Sequence, residues 1–278
     1  MVMSTSGWSL DDIPWDRFDP HRVDPEMLKV VKAASLVEYN GDDYADYLCR
    51  VFHDDPAFQE AAMRWAGEEV QHGLALGRWA RLADPNFDFE GSFRRFLEGY
   101  QLPQDTAESV RGSRSGELVA RCIVEVGTSS YYTALGEACE EPVLRAICRR
   151  IAADEFRHYR LFLTHLKRYL ETENIGRWRR VIVALGRIGE TEDDELAYAY
   201  YAANAAPGTP YERKRWSRAY GARAFRYYRR AHVERGVAMV FKAAGLDPQS
   251  PLARLVSRAG YGILRVRGRY VRDLAKAA

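Results

Sequence analysis

Apolar residues recur along this chain at steps of three and four, and an alternation of period two is nowhere sustained. The pattern predicts helices throughout and no strands. Asp24-Pro25-Glu26 reads as a helix start: a capping carboxylate, a proline in the first turn and an acidic residue after it. A helix is expected from Pro25 to His53, with Val31, Ala34, Glu38 and Ala45 close to one face. Asp54-Asp55-Pro56 repeats the signal and opens a second helix, which runs to Ala83 and is ended by Asp84-Pro85-Asn86. A crossover over residues 84–112 follows, with a short helix near Phe89–Tyr100. A third helix is expected from Ser113 to Glu140, and Glu141-Pro142 opens a fourth that reaches Glu171. Further helices are expected at 176–188, 193–203, 210–244 and 251–275, with a break at Pro207-Gly208-Thr209-Pro210.

With 278 residues, the chain is long enough for one large domain or two small ones. The expected organisation is all-α: an N-terminal segment over 1–24, a four-helix bundle over 25–172, and a helical extension over 173–278 packed on that bundle. The long crossover would set one helical hairpin against the other, as in bundles with a single long connection.

Placed on these helices, one pattern changes the picture. Glu69 and His72 form a Glu-x-x-His step, and Glu155 and His158 form a second. Each is paired with a lone glutamate one helix earlier, Glu38 and Glu125. The step of three puts both side chains on one helix face. At 1.5 Å rise per residue, all six side chains fall at similar depth, roughly 22–25 Å from the turns. Such a step alone is a weak signal; the matched depth and the lone glutamates strengthen it. Four carboxylates and two imidazoles in this order form the ligand set of a di-iron or di-manganese site in a four-helix bundle. Two cations would also offset the cost of burying the carboxylates. Mixed oxygen and nitrogen ligands favour Fe, Mn or a mixed Fe/Mn pair over structural zinc.

Neighbouring residues suggest supporting roles. Thr128 lies one turn after Glu125, so its hydroxyl should face the metal cavity, as a proton relay or bonded to a helix carbonyl. Asp154 and Glu68 each precede a ligand glutamate and could orient a ligating imidazole or lie on a solvated face. Tyr39, Trp65, Tyr131, Tyr132 and Tyr159 flank the ligands, mainly as packing, with one a candidate electron relay. His165 lies two turns from His158 and is expected to pack rather than ligate. His21, His53 and His232 carry no pattern.

Hydrophobic residues make up 47% of the chain, which excludes a disordered protein. Cys49, Cys122, Cys139 and Cys148 show no C-x-x-C pair and lie in apolar stretches, as buried core residues of a reducing, cytoplasmic protein would. Met1 to Asp19 is polar and acidic, so no signal peptide is expected, and no apolar run is long enough for a transmembrane helix. Net charge is only +2 but unevenly placed. From Tyr211 onward there are about 17 lysines and arginines against about four acids. This basic third should attract an anionic partner. Arg223-Ala224-Phe225-Arg226-Tyr227-Tyr228-Arg229-Arg230 is a candidate patch, or else a solvated helix face.

The stretch Trp65-Ala66-Gly67-Glu68-Glu69-Val70-Gln71-His72-Gly73 resembles the W-x-x-E-E-x-x-H-G segment of soluble acyl-acyl-carrier-protein desaturases. Ala153-Asp154-Glu155-Phe156-Arg157-His158 resembles their A-D-E-x-R-H segment, and Glu125-Val126-Gly127-Thr128 their E-x-x-T step. The likeness covers Pro25 to Glu171; the arginine-rich remainder matches nothing in that family. The resemblance implies a ferritin-like di-iron bundle with additional C-terminal helices. In it Glu38, Glu69, His72, Glu125, Glu155 and His158 would hold two Fe ions, Glu69 and Glu155 would bridge them, and Thr128 would sit beside the oxygen-binding face. It further implies dioxygen as co-substrate, an external electron donor, and a long apolar or acyl-carrier-protein-bound substrate. An acidic carrier could dock on the basic third, and a homodimer is compatible with the family. The alternative is a ferritin- or rubrerythrin-like iron-oxidising or protective protein without organic substrate. No nucleic-acid partner is expected, although interleaved arginine and tyrosine permit such contact, and the basic third could instead meet an anionic membrane surface.

Overall fold

A computed structural model describes residues 7–101, 107–191, 195–206 and 208–276, with side chains described to residue 266 and not at 191. The expected helix start at Asp193 and the break residue Pro207 lie outside these. The described residues are all-helical, with no strand among them. They form α1 (Pro25–Tyr39), α2 (Gly41–Val51), α3 (Pro56–Ala83), α4 (Phe89–Gly99), α5 (Arg114–Ala138) and α6 (Pro142–Leu170). There follow α7 (Arg177–Thr191), α8 (Glu195–Asn204), α9 (Arg213–Ala224), α10 (Arg230–Ala244) and α11 (Pro251–Lys276). Among the described residues no helix is long and apolar enough to cross a membrane.

The start signals act as read. Asp24 and Asp55 accept from the amides of Glu26 and Phe58, each followed by a proline in the first turn. Glu141 caps α6 by accepting from the amides of Val143 and Leu144. Trp79 Nε1 also donates to Glu141 Oε2 at 2.7 Å, fixing α3 to the foot of α6.

Two expectations are corrected. The first helix does not run unbroken from Pro25 to His53; it breaks at Asn40 into α1 and α2. The cause is close packing on α3. A Cβ at Gly73 would stand 2.5 Å from the Tyr39 amide nitrogen, and one at Gly41 would stand 2.8 Å from Glu69 Cβ. Glycine at both positions lets the end of α1 and the start of α2 press against α3. The second correction is at 210–244, which divides into α9, a 3₁₀ turn over Phe225–Tyr227 and α10. His232 caps the restart: its Nδ1 accepts from the Arg229 amide and its Nε2 pairs with Glu137.

α1 with α2 packs along α3, and α5 packs along α6; contact between α3 and α6 joins the two hairpins. The apolar core forms two clusters. One holds Leu36, Leu76, Trp79, Leu135 and Ile147. The other holds Leu48, Phe58, Trp65, Leu118 and Phe162. Along α3, α5 and α6 the Glu and His positions fall where one cluster gives way to the other. The extension lies on this frame, α7 and α10 against α5, and α8 and α9 against α1. Residues 7–24 are not a detached segment, because Trp8 and Ile13 join the core.

The basic patch expected at Arg223–Arg230 is engaged internally. Its arginines pair with Glu26, Asp24, Glu137 and Glu234. Tyr227 is buried.

Candidate metal centre

Glu38 ends α1, Glu69 and His72 lie midway along α3, Glu125 midway along α5, and Glu155 and His158 midway along α6. All six are buried, none more than 7% exposed. They form two overlapping groups whose ligand atoms lie within 4.8 Å of one another: Glu38, Glu69, His72 and Glu155, and Glu69, Glu125, Glu155 and His158. Glu69 and Glu155 belong to both. Each turns one oxygen to each imidazole. Glu69 Oε2 and Glu155 Oε1 stand 3.4 and 3.3 Å from His72 Nδ1. Glu69 Oε1 and Glu155 Oε2 stand 3.1 and 3.8 Å from His158 Nδ1. Glu38 closes the first group and Glu125 the second.

The outward edges of the imidazoles are held by carboxylates in a crossed arrangement. Asp154, beside Glu155 on α6, reaches His72 on α3: Oδ2 lies 3.1 Å from Nε2. Glu68, beside Glu69 on α3, reaches His158 on α6: Oε2 lies 2.7 Å from Nε2. A carboxylate only accepts, so each Nε2 carries a hydrogen and each Nδ1 is the nitrogen turned inward, where a cation could replace its proton. Arg157 ties the outer shell together by donating to both Asp154 and Glu68.

The inward atoms fit cations. His72 Nδ1, His158 Nδ1, both oxygens of Glu125 and Glu155 Oε1 are buried with no hydrogen-bond partner. Unpaired buried polar atoms are costly, and here they converge from three helices, α3, α5 and α6. The electrostatics agree. Burial, reinforced by Glu69 and Glu155, pushes the Glu38 carboxyl well above the usual range. Burial likewise raises Glu125, with Glu155 and Glu69 adding to it. Burial alone would lower His72 and His158, but the surrounding carboxylates outweigh it and raise both. Protons therefore accumulate where positive charge is missing. The buried carboxylate–histidine cluster could hold a metal ion.

Thr128 is brought to the cluster. Its hydroxyl donates to Glu155 Oε2 at 2.6 Å, with the Val124 and Glu125 carbonyls at 3.3 Å. Of the flanking aromatics, Tyr132 reaches a ligand, donating to Glu38 Oε1 at 2.5 Å. Trp65 sets its ring edge-on to His158. Tyr159 donates to the Met239 carbonyl, and Tyr39 packs on Phe89 and Phe93. Tyr131 packs against Tyr132. His165 stays outside the cluster and accepts from Arg168. The cysteines are free; Cys122, Cys139 and Cys148 are buried and Cys49 half-buried.

Sequence reasoning missed Trp8. Its indole donates to Asp154 Oδ2 at 2.8 Å and stacks parallel to His72, centroids 6.0 Å apart. The polar N-terminal segment holds two tryptophans, Trp8 and Trp15, and nothing in the sequence singles out Trp8. One cleft reaches Asp154 and Trp8, and a second has none of the six clustered residues in its lining. The first, of about 370 Å³, is lined by Trp8, Asp154, Arg149, Arg150 and Arg157. The other, of about 230 Å³ between α5, α6 and α10, is lined by Ser129, Ser130, Thr133, Phe156, Arg235 and Met239. Neither lining is that of a long apolar channel. No protein-family model matches the chain, and a comparison with curated proteins gives no match.

Proposed function

We propose that the chain is a ferritin-like di-iron carboxylate oxidoreductase that uses dioxygen and an external electron donor on an apolar substrate, in the manner of soluble acyl-carrier-protein desaturases. The observation that carries this reading is the pair of overlapping ligand groups sharing Glu69 and Glu155. Glu38 and His72 would complete one ion's ligands, and Glu125 and His158 the other's. Bound there, two iron ions, or a manganese-containing pair, would supply dioxygen reduction and the oxidising power for removing a hydrogen from a C–H bond.

The protein's own contribution is positional. Asp154 and Glu68 hold the imidazoles in one tautomer. Tyr132 fixes Glu38, and Thr128 fixes Glu155 while keeping an exchangeable proton at Oγ1 beside the cluster. The two apolar clusters exclude water on either side of the ligand layer.

A specific observation favours a second reading. The cleft between α5, α6 and α10 measures about 230 Å³ and carries three hydroxyls and an arginine, which suits a small amphipathic molecule or no organic substrate better than a long acyl chain. The alternative is then a ferritin- or rubrerythrin-like protein that oxidises iron or removes peroxide.

Metal analysis of protein purified without added metal tests the shared claim; the expected result is two ions per chain. Glu125→Ala and Glu155→Ala should abolish that binding and keep the helical circular dichroism, whereas two ions retained in both variants refute the assignment. Single-turnover dioxygen consumption separates the two readings. Dependence on an acyl substrate supports the first, and substrate-independent iron oxidation the second.

A further inference from the structure

Among the described residues, 13 large apolar side chains are exposed, and nine of them lie on α7 and α11. On α7 they are Trp178, Ile182, Leu185 and Ile188, a stripe at steps of three and four. The opposite face of α7 buries Ala184 and Arg187 against the rest of the fold. On α11 they are Leu252, Leu255, Val256, Ile263 and Val266, with Ala253 and Ser257 on the buried side. Trp178 is 81% exposed and Ile182 69%, far beyond scattered surface apolar residues. Both helices pack against α10, so the two stripes are carried by neighbouring elements.

Charge says what covers them. Residues 177–189 and 251–266 contain no aspartate or glutamate, but besides the buried Arg187 they contain Arg177, Arg179, Arg180, Arg254, Arg258 and Arg265. Apolar stripes rimmed by arginine, with a tryptophan at the edge, have the composition of helices that lie in a bilayer interface. A second copy bound through the same face would set arginines against arginines. Nucleic acid would take the arginines but leave the apolar side chains exposed. We propose that α7 and α11 form a peripheral docking face for an anionic lipid bilayer. Their apolar stripes would enter the acyl boundary, and their arginines would meet the headgroups. This inference stands independently of the metal centre.

The test is flotation of the full chain with vesicles of phosphatidylcholine, alone or mixed with phosphatidylserine. The protein should float with the anionic vesicles, less so as salt rises, and far less with phosphatidylcholine alone. Brominated lipid should quench part of the tryptophan fluorescence, and that part should vanish in Trp178→Phe while flotation persists. Leu185→Asp with Leu255→Asp should weaken flotation at least about tenfold and leave helicity and metal content unchanged. The proposal is overturned if neither vesicle binds, or if the aspartate variant floats as well as the parent. It is also overturned if the parent sediments as a dimer that the aspartates dissociate, which would assign the face to a second copy.

Discussion

Asp154 and Glu68 act on the ligands of the opposite helix, so each holds a different half of the cluster. Asp154 fixes His72, and Glu68 fixes His158. Replacing a carboxylate by its amide keeps the shape but removes the charge that raises the basicity of the imidazole. Outer partners of this kind are worth about 10–100-fold in metal affinity. Asp154→Asn should therefore weaken an ion bound at His72, and Glu68→Gln one bound at His158. Chelator competition should resolve one weakened and one unchanged ion in each variant. Equal affinity for both ions in both variants would show that the crossed pairing does nothing for binding. The convergence of the six side chains was legible because a three-residue step on a helix is a local property and the turns set a common depth. The crossed partners were only half legible: sequence placed Asp154 and Glu68 beside ligands but not beside which imidazole. Trp8 was not legible at all, since its bond to Asp154 spans 146 positions and its segment has no periodicity.

Among the elements, the junction before α3 carries most. Asp55 caps α3 through the Phe58 amide and accepts from Arg168 and from Tyr169 Oη at 2.7 Å, locking the start of α3 to the end of α6. Burial opposes its ionisation, but Arg168, Tyr169 and the Phe58 amide outweigh that and lower its carboxyl to about 2. A depressed carboxyl gives stability that is complete above its unfolded value near 4 and is lost as pH falls through about 2. Asp55→Ala should cost about 2 kcal/mol in urea denaturation at neutral pH, from the lost cap and charged hydrogen bonds. The gap from the parent should narrow in acid; a gap that stays constant down to pH 2 would deny the charge a role. Gly73→Ala should cost about 2–3 kcal/mol and loosen metal binding, because its Cβ would force Tyr39, next to Glu38, away from α3. The same close approach hid the break at Asn40, since α1 and α2 keep a helical apolar pattern on both sides of it. At 225–229 the interruption depends on His232 meeting Glu137, a contact across 95 positions that periodicity does not carry.

For the whole molecule, the two apolar clusters with a charged layer between them set the energetics. The clusters stabilise the fold, and the layer opposes it until positive charge arrives. Glu125 shows this most simply: buried, with neither oxygen hydrogen-bonded and its carboxyl driven up by burial. Any ion that binds the folded chain and not the unfolded one adds stability by mass action, about 2.7 kcal/mol per site at a hundred times its dissociation constant. Two such sites would add about 5 kcal/mol, raising the melting temperature by about 10 °C in a chain of this size. Stripping the metal should reverse that rise. Glu125→Leu separates the two effects, because leucine fills a similar volume without a charge to bury. Metal-free Glu125→Leu should melt at or above the metal-free parent, and added Fe(II) or Mn(II) should restore little of the parent's rise. If it melts well below the metal-free parent, Glu125 is a structural member of the layer, and the cost of the buried carboxylates is already met within the protein.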